Sequence, residues 1–171
     1  MDISDTLAPT SDQLDAVELL GGPRTFTVES VSKVEGEQPL NVRLAEFPRP
    51  WRPGKSMRRV LGYCWGTDAS KWAGRRVQLY CDPGVMFGKD KVGGTRIAAL
   101  SHIDRPKDIP LLVSRGKSQT YHVDVLPDER NWRAEADALT TRDELLELYR
   151  QAPAEHHDYI KDRAQQIAVS S

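Results

Sequence analysis

The sequence predicts a mainly β protein of the α+β class, a small barrel with one internal helix, followed by a C-terminal helical hairpin. Three observations predict it. Five stretches alternate apolar and polar residues with period two, as half-buried strands do. One stretch between them repeats its apolar residues with the helical period instead. Beyond residue 128 the helical period holds throughout, and the 171 residues suffice for one domain of ordinary size with an appendage.

Taken in order, "TSDQLDAVELLGGP" offers Thr10 or Ser11 as an N-cap, apolar residues at Leu14, Val17 and Leu20, and a Gly21-Gly22-Pro23 stop. It predicts a short lead-in helix. "TFTVESVSKV" and "LNVRLAEF" read as a hairpin, with a slip of phase between Val28 and Val31. "PRPWRPG" holds three prolines and a glycine and is predicted to be a loop. Ser56 then caps a helix whose Met57, Val60, Leu61, Cys64 and Trp65 form one buried stripe.

"RRVQLYCD" alternates Val77, Leu79 and Cys81 with Arg76, Gln78 and Tyr80. "PGVMFGKDKVGG" is a glycine-rich hairpin tip, "TRIAALSHID" the next strand, "RPKDIPLLVSRGKS" a basic connection and "QTYHVDVLP" the fifth strand. In the tail, Thr141 and Glu144 form a capping box, Leu145, Leu148 and Tyr149 a stripe, and Pro153 a break between helices. The expected parts are a lead-in over 1–22, an OB-like β-barrel with a basic face over 23–127, and a helical module over 128–171. The internal helix follows the second strand, whereas an OB-fold places its helix after the third.

Mean hydropathy is −0.56, and no run approaches a membrane span. The acidic beginning has neither a basic nor an apolar segment of a secretory signal, so a cytoplasmic protein is expected. Two cysteines, Cys64 and Cys81, are too few for a disulfide framework and read as buried thiols. The net charge of −1 conceals a segregation: the balance is −6 over 1–42, +8 over 43–130 and −3 over 131–171. Residues 49–96 alone carry 11 basic side chains against three acidic ones, which points to an anionic partner.

In that segment cations and aromatic rings interleave, the two ingredients of a single-strand groove in which phosphates meet Lys and Arg and bases stack on rings. The candidate nucleic-acid-binding residues are Trp51, Arg52, Lys55, Arg58, Arg59, Arg75, Arg76, Tyr80, Phe87, Lys89, Lys91 and Arg96. Trp65 and Trp72 read as core rings. Cys64, Cys81, His102 and His122 lack paired metal-ligand spacing, so no metal or cofactor is expected. The aspartates of the basic block lie scattered on turns, no phosphate-loop order occurs, and no catalytic residue is assigned. His156 and His157 read as a solvated pair.

The "TSDQL" helix, the "PGKSMRRVL" helix, the "WAGRRVQLY" strand and the "GGTRI" strand, in this order, resemble a family of small tailed-phage and prophage proteins. The resemblance covers residues 9–126, and members lie among replication and recombination genes. It implies a context, the cytoplasm of an infected or lysogenic bacterium, more than a mechanism. The tail "NWRAEADALTTRDELLELY" is similar to helical partner modules of phage DNA-metabolism proteins. The expected function is single-stranded DNA binding without sequence preference, with a protein partner for the C-terminal helices and self-association left open. The rival is a protein-interaction factor that binds a host or phage enzyme.

Overall fold

In a computed structural model the structure describes residues 10–87, 90–91 and 93–169, and the side chains of 86–92 and 113 stand outside that description. Among the described residues there are eight strands: β1 (Arg24–Lys33), β2 (Leu40–Leu44), β3 (Arg76–Asp82), β4 (Met86–Phe87), β5 (Asp90–Lys91), β6 (Gly94–Leu100), β7 (Lys107–Ser114) and β8 (Lys117–Val125). Six of them form one open sheet in the order β2-β1-β3-β6-β8-β7, and β4 with β5 makes a separate two-residue ladder. All neighbours in the large sheet are antiparallel except β6 and β8. The helices are α1 (Lys55–Trp65), α2 (Trp132–Ala138), α3 (Arg142–Gln151) and α4 (His157–Val169). The chain divides into two compact units after Pro127.

The slip of phase in β1 is a register shift between Val28 and Ser30 against β2. Val77 and Leu79 of β3 are fully buried, while Arg76, Gln78 and Tyr80 are half-buried. One core joins Phe26, Val42, Leu79, Ile97 and Val123 from the sheet to Met57, Val60, Leu61 and Trp65 from α1. Each such aliphatic side chain contributes roughly 1.5–3 kcal/mol by leaving water.

Three expectations for the N-terminal unit need correction. The count is not five strands, because "RPKDIPLLVSRGKS" contains β7, which pairs with β8 along its length and buries Ile109 and Leu111. Pro110 is tolerated there because β7 is an edge, where a missing N–H need not break a ladder. The lead-in is a single 3-10 turn, Ala16–Leu19, with a capping box between Asp15 and Glu18. Leu14 and Leu19 are buried and Val17 and Leu20 exposed. α1 starts two residues early, with Gly54 rather than Ser56 at its N-cap and no side-chain cap.

The tail is a three-helix unit: α3 and α4 pack as a hairpin around Leu145, Leu148 and Ile160, and α2 adds Ala136 to their core. The Thr141–Glu144 capping box opens α3 as read. His156 and His157 are half-buried. His157 stacks on Tyr149 at 3.9 Å, and its Nε2 lies 2.9 Å from the Ala152 carbonyl.

Candidate nucleic-acid interface

α1 is held by its apolar stripe, and that fixes what it shows to solvent. Met57, Val60, Leu61 and Trp65 are buried, and Trp65 Nε1 donates to the Ser101 carbonyl at 2.7 Å. Ser101 is itself fully buried, and its Oγ accepts the Arg76 amide at 2.7 Å, so α1 is pinned to the point where β3 and β6 meet. On the opposite side Lys55, Arg59 and Tyr63 stand at i, i+4 and i+8, all exposed, with Tyr63 61% exposed. Successive members rise about 6 Å along the axis. The helix "KSMRRVLGYCW" contains no carboxylate. Among the described residues, neither Lys55 nor Arg59 has an ion-pair partner.

The other candidates are placed differently. Trp51 is 1% exposed, which corrects its reading as an outward ring. Its backbone bridges Val42 beside β2, and its Nε1 donates to Thr95 Oγ1 at 2.8 Å. Arg52 donates from Nε to Asn41 Oδ1 at 3.1 Å and pairs with Asp12 at 2.9 Å. Arg58 is half-buried and donates to the Pro53 carbonyl at 2.9 Å. Arg75 lies 5.7 Å from the Trp65 ring and donates to the Trp65 carbonyl. Arg76 donates to the Pro127 carbonyl. These four guanidinium groups are partly used in holding the fold.

Tyr80 and Arg96 face one another across β3 and β6, and Arg96 pairs with Asp82 at 3.7 Å. Tyr121 of β8 joins them: its hydroxyl donates to the Ile97 carbonyl, and burial, with the neighbouring Tyr80 phenol, pushes it well up, against a smaller pull from Arg96. A tyrosine pair with a cation thus sits at the centre of the sheet. Phe87 and Lys91 lie in β4 and β5 with their side chains outside the described residues, and Lys89 falls outside them altogether.

The sequence reading left out two residues of the candidate site. Tyr63 carried a usable signal, its spacing of four from Arg59 and eight from Lys55. Tyr121 carried none, since only the parallel pairing of β6 with β8 brings it beside Arg96.

Among the described residues no group of three or more His, Cys, Asp and Glu is arranged to hold a metal ion. Burial pushes the Cys64 thiol up, which keeps it protonated. His122 sits between two carboxylates, Nδ1 2.7 Å from Asp108 and Nε2 2.9 Å from Asp124, so both nitrogens are satisfied as donors only in the charged ring. Those hydrogen bonds raise its pKa, Asp108 the most. A raised folded-state pKa stabilises the fold below the ordinary value of about 6.5, and the contribution is lost as pH rises through the raised value. An NMR titration of His122 is expected to fall above that of a free histidine and to return towards it in Asp108→Asn with Asp124→Asn. A titration at the ordinary position in the unmodified protein would refute the clasp.

No helix among the described residues is long and apolar enough to cross a membrane. No family model, curated protein or solved structure matches the chain.

Proposed function

We propose that the chain binds single-stranded DNA without sequence preference, and that the outer face of α1 is its principal contact. The observation that carries the reading is the stripe Lys55–Arg59–Tyr63, two cations without an ion-pair partner among the described residues and an exposed ring, in line on a helix fixed from behind by Met57, Val60, Leu61 and Trp65. Cations at that spacing meet successive phosphates, and the ring offers a face to an unpaired base, which duplex DNA does not present. The site has no catalytic part in this reading. The resemblance to small phage proteins supports a role in replication or recombination.

The sheet supports an OB-like reading. With β2 set aside, the order β1-β3-β6-β8-β7 is that of a five-stranded OB sheet, including its parallel third and fifth strands. β2 and α1 are then an insertion after the first strand, and Tyr80 and Arg96 fall on the second and third strands, where OB-folds receive oligonucleotides.

The test is fluorescence anisotropy with labelled single-stranded and duplex oligonucleotides at graded salt. A preference for single strands with a steep salt dependence is expected, and Lys55→Ala with Arg59→Ala should flatten the log–log slope by about 1.4, or 0.7 for each lost phosphate contact. Absence of binding to either form at low salt would refute the reading. That outcome would favour the second one, a protein-interaction factor, which a groove between α3 and α4 supports. The groove has a volume of about 530 Å³, is lined by Leu145, Leu146, Tyr149, Ile160 and Ala164, and leaves Leu146 half exposed.

A further inference from the structure

The segment before β1 is acidic, and the structure places its charge on the arginines just ahead of α1. Arg49 donates from Nη1 to the carbonyls of Ser11 and Gln13, both at 2.9 Å, and its Nη2 meets the Glu18 carboxylate. Arg52 Nη1 pairs with Asp12 at 2.9 Å. The Leu14 amide donates to the Pro50 carbonyl at 2.8 Å, and Leu14 and Leu19 are buried in the core. Residues 11–19 therefore lie across the loop that leads into α1, fastened by two apolar residues and presenting two carboxylates to two guanidinium groups.

We propose that this segment is an acidic strap that holds Arg49 and Arg52 out of the nucleic-acid interface by occupying them as phosphates would. The proposal rests on the single-strand reading of α1 and adds its regulation. The two ends of the strap differ. Glu18 and Arg49 are both largely covered, and Glu18 also caps the 3-10 turn through the Asp15 amide. Asp12 is 75% exposed against 26% for Arg52, so its ion pair is screened by water and salt and is the end that an incoming phosphate displaces. Arg52 keeps its bond to Asn41 when Asp12 leaves, so the guanidinium stays oriented beside Lys55 in sequence and ready for an anion.

The test uses the full chain. Asp12→Asn removes the charge at the exposed end and leaves Leu14 and Leu19 in place. It is expected to bind a labelled single strand about two- to fivefold more tightly at low salt, with a log–log salt slope steeper by about 0.7. Asp12→Asn with Glu18→Gln should steepen it further, with the thermal midpoint of each variant measured alongside. Glu147→Gln, which removes a like charge from α3, is the control and should bind as the unmodified protein does. Unchanged affinity and slope in Asp12→Asn, with the unmodified protein binding, overturns the strap and leaves the α1 reading intact. Equal tightening in Glu147→Gln also overturns it, because net charge alone would then account for the gain. Failure of every variant to bind overturns both readings together.

Discussion

Trp51→Ala is expected to cost the N-terminal unit about 3–5 kcal/mol of stability. The residue lies between prolines, yet its amide donates to the Val42 carbonyl at 2.8 Å and its carbonyl accepts the Val42 amide at 2.9 Å, so the loop borders β2 as an extra bridge. The ring it carries inward is among the largest fully buried side chains and reaches Thr95 on β6. Truncation removes the transfer energy of the ring, leaves a cavity against the core, and strips a partner from the Thr95 hydroxyl. A domain of this size is stable by only about 5–15 kcal/mol, so the loss is a large share of the whole. Urea unfolding should show a lower midpoint at unchanged slope. Trp51→Phe fills most of the volume and should lose mainly the Nε1 donor, about 1–3 kcal/mol. An alanine variant as stable as the original would restore Trp51 to the surface as a stacking platform.

That residue also shows where the sequence stops being informative. α1 was legible because three prolines bound it on one side and its apolar residues recur at helical spacing, and Met57, Val60, Leu61 and Trp65 are buried accordingly. β3 was legible from alternation alone, and the capping box of α3 from Thr141 and Glu144. Trp51 was not, because a proline-flanked ring reads as loop until its pairing with Val42, set by the tertiary fold, is known. β7 was hidden by Pro110 and by flanking charge that is tolerable only on an edge strand. The site suffered most. Counting cations finds a basic segment, but Asp12 lies 40 residues from Arg52 and Glu18 31 residues from Arg49, so no local pattern shows which arginines are already matched. Lys55 and Arg59 emerge from the candidates by being the ones the described fold leaves unmatched.

Tyr63→Ala is expected to weaken single-strand binding by about 1–3 kcal/mol, on the order of five- to 150-fold in Kd. The ring is 61% exposed on α1 and alanine is the better helix former, so the fold should hold and the change should be read in affinity alone. Because no charge is removed, the salt slope should stay as it was, in contrast to Lys55→Ala with Arg59→Ala. Tyr63→Phe keeps the π-face and should bind nearly as the original does, which separates stacking from any hydrogen bond of the phenol. Tyr80 gives a less clean experiment, since it is half-buried beside Arg96 and Tyr121 and its removal perturbs the sheet along with any ligand contact. If Tyr63→Ala binds as tightly as the original while the slope still depends on Lys55 and Arg59, then α1 holds phosphates only. The base-stacking surface then belongs to Tyr80 and Tyr121 on the sheet, and the preference for single strands should vanish with Tyr80→Ala instead.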